Sequence, residues 1–344
     1  MVTVGCSHIQ ARSAASASPS LSTIETSRIR ELYRVWAIAG DQGWPGFNQS
    51  NFNLSFILID QNSQWAVNVE PLPAEYVAVE IPQTLLPMIK GLAETQPYRN
   101  ERGEKELNTP KEIHRSFPPE YTNFHFKHSI YFVTSIEGFQ TEGQTITADD
   151  WIHISLHELF HNYQDRFVQY SPEFTKAISF PYWQQLREDH QFNGYVSSEL
   201  KLLAQAACGN QKEQIRQDLK AALRIRNERW DYIEKRFGSS PKAWERYQVW
   251  AEGTAHYVEH KIMSHWPVYS TSSELSSDPY FKNYEAYKSE SLTTWCKDIA
   301  SYSHTYWYDV GFAYALILDK LEPTWKVKLP SSSLFFDAYF KSLH

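Results

Sequence analysis

The sequence has few cysteines, no long apolar run and no excess of positive charge. Its three cysteines, Cys6, Cys208 and Cys296, do not suggest a disulfide framework, although Cys208 and Cys296 could pair. No apolar stretch approaches the roughly 18–20 residues needed to span a bilayer, so we expect no transmembrane segment. The net charge of −7 gives no electrostatic reason to expect binding to nucleic acid or to an anionic membrane.

The remaining composition is that of a globular protein. Hydrophobic residues make up 42% of the chain, charged residues 21% and aromatic residues 15%. Residues 11–20 are rich in Ala and Ser, so we expect 1–20 to be a disordered or tether segment. Val4-Gly5-Cys6-Ser7 resembles the end of a bacterial lipoprotein signal. This indicates an extracytoplasmic lipoprotein anchored through Cys6 if the start site is assigned too late, and otherwise a cytoplasmic protein.

Two halves with different patterns follow the tether. In 21–146, a helix at 22–39 precedes apolar alternations at 54–59, 65–69, 77–81 and 129–136, which predict a mixed α/β sheet region. A short helix is predicted at 82–93 and a surface excursion at 94–123. In 147–344, helical spacing predicts segments at 147–170, 173–190, 195–207, 211–237, 241–265, 281–300, 308–321 and 331–342. The predicted fold class is therefore α+β, with an N-terminal mixed β-sheet followed by a mostly helical part.

The sequence His157-Glu158-x-x-His161 lies in the first of these later helices. Residues four apart on a helix lie about one turn above each other, so two imidazoles at this spacing can reach one metal ion. Glu158 is offset around the helix, where it could take a proton from a metal-bound water. Thr147 can cap this helix. The alternative is an amphipathic core helix with two buried histidines, and His153, one turn earlier, is expected to be a packed or exposed histidine.

A catalytic zinc site usually has three protein ligands, and Glu252 is the best candidate for the third. It lies in the middle of a predicted helix near Gly253 and Ala255, small residues that would let this helix pack closely against the His-Glu-x-x-His helix. Glu259, seven residues later, returns to nearly the same face and could receive the spare N–H of a zinc-bound imidazole. Glu259 and His256 also remain alternatives to Glu252 as the ligand.

Glu252-Gly253-x-Ala255-x-Tyr257-x-Glu259 resembles the glutamate-ligand helix of gluzincin metallopeptidases, in particular their aminopeptidase-type branch. Tyr308-Asp309-Val310-Gly311-Phe312-Ala313 is similar to a later stretch of the same branch. The resemblance covers roughly 129–321 and implies a zincin-like fold, a Zn²⁺ cofactor, and Tyr308 as the residue that stabilises the oxyanion. Asp165 matches the acidic residue that orients a ligand histidine in thermolysin-like relatives. Tyr306 is the alternative for the oxyanion role.

The chain departs from this family in two respects. Residues 162–251 separate His161 from Glu252, so the sequence predicts a long helical insertion at about 172–238. The Gly-x-Met-Glu-Asn stretch that holds a substrate amine in aminopeptidases is missing, and Glu137 is the nearest acidic substitute. Both an aminopeptidase and an endopeptidase therefore stay open.

The predicted function is zinc-dependent hydrolysis of peptide bonds. The metal ligands are His157, His161 and Glu252, with Glu158 as the general base and Tyr308 as the oxyanion donor. The expected partner is a peptide or protein substrate. One alternative is a catalytically inactive zinc-binding relative that acts as a peptide-binding module. The other is a helical scaffold without metal.

Overall fold

A computed structural model of the chain describes the residues that build the helical body and parts of the segment before it. These are residues 21–49, 52, 54–59, 64–68, 76–78, 97–100, 131–134, 136, 146–164, 166–167, 180–265, 271–282, 292–298, 305–329 and 335–340. The predicted tether 1–20, the predicted helix 82–93, Cys6, Glu137 and Asp165 lie outside the described residues.

The first element is helix α1, Thr23–Gly43. It begins where the Ser22 side chain accepts a hydrogen bond from the Glu25 N–H at 3.1 Å, an N-cap that satisfies one of the free donors of the first turn. The helix passes through Gly40, where the sequence predicted its end. Arg28 is buried and bonds to Asp278 at 2.7 Å, which ties α1 to a segment far along the chain.

Short strands follow α1. They are β1 Phe56–Ile59, β2 Gln64–Val67, β3 Tyr76–Ala78, β4 Pro97–Asn100 and β5 Tyr131–Thr134, in the order β3-β4-β2-β1-β5. Strand β1 pairs parallel with β5, so that Phe56 lies opposite Tyr131, and antiparallel with β2, so that Phe56 lies opposite Val67. The β2–β4 and β3–β4 pairs are antiparallel.

The predicted α+β fold class, an N-terminal mixed β-sheet followed by a mostly helical part, is wrong. The helices reach 26 residues, whereas each strand has only three or four. Alternating apolar residues indicate a locally extended chain, but they do not set how far the strands extend. The described structure is predominantly helical, and its helices supply most of the core.

The helical body begins at α2, Ala148–Gln164. The later helices are α3 Trp183–Leu186, α4 His190–Cys208, α5 Lys212–Phe237, α6 Lys242–His265, α7 Leu292–Asp298, α8 Tyr306–Leu321, α9 Trp325–Lys328 and α10 Asp337–Phe340, with a short 3₁₀ helix at Leu275–Ser277. The helices predicted at 195–207, 211–237, 241–265 and 308–321 are confirmed. The segments predicted at 173–190 and 331–342 contain only short helical pieces in their described parts.

Helix α6 lies at the centre of this body and packs against α8, α1 and α2. Helices α4 and α5 pair side by side, and α4 also packs against α8 and α7. A disulfide between Cys208, the last residue of α4, and Cys296 of α7 joins two of these elements. The chain therefore brings α2, α6 and α8 together around one region. None of the described helices has the length and apolar character needed to cross a membrane.

Candidate metal centre

Helix α2 carries His157, Glu158 and His161, and its start is fixed by a reciprocal cap. The Thr147 hydroxyl accepts from the Asp150 N–H at 3.1 Å, and an Asp150 carboxylate oxygen accepts from the Thr147 N–H at 3.1 Å. Both donors would otherwise be unpaired in the first turn. The two imidazoles, one turn apart, have ring centroids 5.0 Å from each other and are almost completely buried.

Helix α6 brings Glu252 to these two imidazoles. Its Oε2 lies 3.2 Å from Nε2 of His157 and 3.5 Å from Nε2 of His161. One potential ligand atom from each of the three residues lies within 4.8 Å of the other two. Among the described residues, no other group of three or more His, Cys, Asp or Glu side chains meets this condition. The structure thus assembles the three ligands that the sequence predicted.

The Nδ1 atom of each imidazole also has a partner. Glu259 Oε2 lies 3.0 Å from Nδ1 of His157, and Gln164 Oε1 lies 2.6 Å from Nδ1 of His161. Partners of this kind orient a ligand imidazole and leave its Nε2 free to coordinate. The sequence predicted this position for Glu259 but missed Gln164. Asp165, which the resemblance implied as the residue that orients a ligand histidine, lies outside the described residues.

Glu259 is shared by three histidines. Its Oε1 accepts hydrogen bonds from His256 Nδ1 and, at 3.3 Å, from His153 Nε2, while its Oε2 faces His157. His256 and Glu259 are therefore engaged with each other, and neither belongs to the three-ligand group. His153 is partly buried against Glu259 rather than simply packed or exposed. His153 lies one helical turn before His157, and His256 lies one turn after Glu252.

The charges of the cluster compensate one another. Burial lowers the pKa of both imidazoles, but nearby carboxylates raise it by more. Glu259 and Glu252 act on His157, and Glu252 acts on His161, so both pKa values lie above their usual range. Burial likewise works against the ionised forms of Glu252 and Glu259, yet the adjacent histidines hold both carboxyl pKa values below their usual range. In this structure the imidazoles and carboxylates stabilise each other.

Tyr308, at the start of α8, lies beside the cluster. Its ring stacks on His157 with centroids 5.5 Å apart and planes 21° apart. Burial raises the pKa of Tyr308, and the charge of Glu252 and a hydrogen bond to it raise the value further. Tyr306 faces elsewhere, because its hydroxyl bonds to Glu245 at 2.5 Å and to Arg229 at 3.0 Å.

Glu158 is half-buried on the side of α2 next to the histidine pair. Its negative charge contributes to the raised pKa values of His157, His161 and Tyr308. A carboxylate in this position can accept a proton from a molecule held between the histidines and Tyr308.

A close crossing of α6 and α8 sets the distance between Glu252 and Tyr308. A methyl group added at Gly311 would overlap the Val249 carbonyl oxygen and lie 2.6 Å from the Cα atom of Gly253. Gly253 therefore packs against the backbone of α8, and its predicted role in contact with the His-Glu-x-x-His helix is wrong. Gly253 adjoins Glu252, and Gly311 lies about one turn after Tyr308.

Comparison of the chain with protein-family models, with curated proteins and with solved structures finds no match. The resemblance to gluzincin metallopeptidases therefore rests on the quoted sequence motifs alone.

Proposed function

We propose that the protein is a zinc-dependent peptidase whose metal ligands are His157, His161 and Glu252. The observation that carries the proposal is the convergence of two imidazole Nε2 atoms and one carboxylate oxygen from helices α2 and α6, with His157 and His161 at i and i+4.

The donor set fits zinc in number and in kind. Catalytic zinc sites typically use three protein ligands and keep a fourth position for water, and two histidines with one glutamate is an established combination. The Nδ1 atoms of His157 and His161 already face Glu259 and Gln164, so the Nε2 atoms are the ones available to a metal. Cysteine is absent from the cluster, which suits a hydrolytic site better than a closed structural one.

The remaining side chains support amide hydrolysis. When bound, zinc supplies the Lewis acidity that polarises a carbonyl group and acidifies a water molecule. Glu158 accepts the proton of the attacking water and returns it to the departing amine nitrogen. Tyr308 donates a hydrogen bond to the oxygen that becomes negative as the carbonyl carbon is attacked. The proposal assigns no aminopeptidase specificity, since the substrate-amine motif is missing and Glu137 lies outside the described residues.

Metal content tests the ligand set. We expect the purified wild-type chain to bind about one zinc ion, as one site of this type holds, and Glu252→Ala to lose most of it. Glu228→Ala is the matched control, because this glutamate is exposed on α5 and pairs only loosely with Arg224 at 3.7 Å. Wild-type protein without zinc after dialysis against zinc-containing buffer would contradict the proposal.

Hydrolysis of a mixed peptide library tests the activity. Glu158→Gln should keep its zinc and lose about 10²–10⁴-fold in rate, the usual contribution of a general base. If the wild type holds stoichiometric zinc but cleaves no peptide, the enzymatic assignment fails and the inactive peptide-binding relative is the better description.

A further inference from the structure

A directional chain of hydrogen bonds runs from the backbone of α6 to the ring of His161. The Thr254 hydroxyl donates to the Trp250 carbonyl oxygen at 2.8 Å, so its oxygen is left to accept. Gln164 Nε2 donates to that oxygen at 2.6 Å and to the Ala251 carbonyl oxygen at 3.0 Å. Because a carbonyl can only accept, these contacts fix which end of the Gln164 amide carries the N–H groups.

The other end of the amide then fixes the ring of His161. Gln164 Oε1 can only accept, and it lies 2.6 Å from Nδ1 of His161. Nδ1 must therefore carry a proton, and Nε2, which lies on the side of Glu252, remains as the ligating atom. The orientation of the imidazole is thus set by backbone carbonyls of the helix that supplies the third ligand.

We propose that Gln164 is a positioning residue that holds His161 in its metal-binding orientation and locks the end of α2 to the Glu252 segment of α6. The inference rests on the proposed function and extends it to a residue outside the sequence motifs. Gln164 is completely buried, where an amide without hydrogen bonds would be costly. Its three hydrogen bonds use the amide oxygen once and the amide nitrogen twice, and they join the two helices that carry the predicted ligands.

Zinc affinity, measured by competition with a chelator, tests this role. Gln164→Leu removes both the acceptor for His161 and the donors to α6, and we expect it to weaken zinc binding about 10–100-fold, as is typical for partners of metal ligands. Thr254→Val removes only one acceptor for Gln164 and should weaken binding by less.

Asn162→Leu provides the matched control on the same helix. Asn162 Nδ2 donates to the Ser55 carbonyl oxygen at 2.9 Å, so this variant loses a comparable buried amide bond without touching His161. It should lower the free energy of unfolding and leave zinc affinity unchanged. Equal losses of zinc affinity in Gln164→Leu and Asn162→Leu, or none in Gln164→Leu, would overturn the proposal.

A histidine-selective ¹⁵N–¹H spectrum provides a readout that needs no variant to fold. In the wild-type protein the His161 ring should carry a proton on Nδ1, with and without zinc. A proton found on Nε2 alone, in either form, overturns the role of Gln164. Wild-type protein that fails to bind zinc contradicts the proposed function instead, and the zinc-free spectrum still decides whether Gln164 orients the ring.

Discussion

Gly253 of α6, the residue after Glu252, and Gly311 of α8, about one turn after Tyr308, meet backbone to backbone. Neither position has room for a methyl group: one at Gly311 would lie 2.6 Å from the Cα atom of Gly253 and would overlap the Val249 carbonyl oxygen. Glycine normally weakens a helix relative to alanine. At this crossing the missing side chain instead permits the close approach on which the site depends.

Gly311→Ala should therefore destabilise the protein although alanine is the better helix former. Overpacking in a close-packed core costs about 1–3 kcal/mol, and the separation of α6 and α8 should also weaken zinc binding through Glu252. Urea unfolding of the zinc-free protein measures the first effect and chelator competition the second.

Gly194→Ala on α4 is the control for this substitution. No atom lies within 4 Å of the position its methyl group would take, so the change should raise the free energy of unfolding by about 0.5–1 kcal/mol. If Gly311→Ala is equally stabilising, the two helices are not in contact at this point.

The local part of the site could be predicted from the sequence, because it depends on spacing within one helix. His157 and His161 follow from the four-residue repeat, and the Thr147 cap follows from the residue type at the helix start. The contacts between different helices could not be predicted in this way. Gly253 indicated a close approach, but a small residue does not identify its partner, and the partner is Gly311 of α8 rather than α2.

Gln164 and the strands show two further limits of the sequence. A buried glutamine has no distinguishing pattern, since its role depends on acceptors that α6 presents from 87 and 90 residues away. The apolar alternations before β5 overstated the sheet, because the pattern gives the face of a strand and not the extent of its pairing. The helices were easier to predict than the strands. Helix α5, for example, has a long apolar repeat and a marked end at Gly238.

Replacing Tyr308 by Phe should impair hydrolysis without unfolding the protein. The hydroxyl is the only group removed, so the stacking on His157 is retained. Zinc affinity should fall only slightly, through the lost hydrogen bond to Glu252. Loss of one oxyanion donor typically costs about 10²–10³ in rate, which steady-state kinetics on any cleaved peptide would detect as a fall in kcat.

Tyr306→Phe distinguishes the role of Tyr306 from that of Tyr308. Its hydroxyl serves Glu245 and Arg229 in the interior, so we expect a loss of about 1–3 kcal/mol in stability from the unsatisfied partners and little change in kcat. A reversed result, with kcat lost in Tyr306→Phe and retained in Tyr308→Phe, would assign the oxyanion role to Tyr306.

Arg229, within the predicted helical insertion, connects three helices through buried ion pairs. It is fully buried and bonds through Nη2 to Glu199 at 2.8 Å and to Glu245 at 2.8 Å, linking α5 to α4 and α6. Arg229→Met would leave both buried carboxylates without their cation, and breaking a buried pair in this way costs about 3–5 kcal/mol. Chemical unfolding measures this cost.

Arg224→Met, on the same helix, is the control for this prediction. Its pair with Glu228 is exposed and 3.7 Å long, and such a surface pair contributes about 0–1 kcal/mol. Similar unfolding curves for the two variants would show that Arg229 does not hold α4, α5 and α6 together.

The disulfide between Cys208 and Cys296 should stabilise the packing of α7 against α4 and α8. Trp295, next to Cys296, donates to Asp309 at 3.1 Å and packs on Phe312 with ring centroids 4.6 Å apart, so α7 is held against α8 close to Tyr308. Losing a native disulfide typically costs about 2–5 kcal/mol. The double variant Cys208→Ser/Cys296→Ser should show a loss of this size in urea unfolding, whereas Cys6→Ser should show none.

Peptide mapping without reductant should recover Cys208 and Cys296 in one linked fragment, and alkylation of both thiols in the native protein would contradict the pairing. Because such bonds persist in oxidising compartments, the same mapping on protein from its native host would also decide between the two predicted locations.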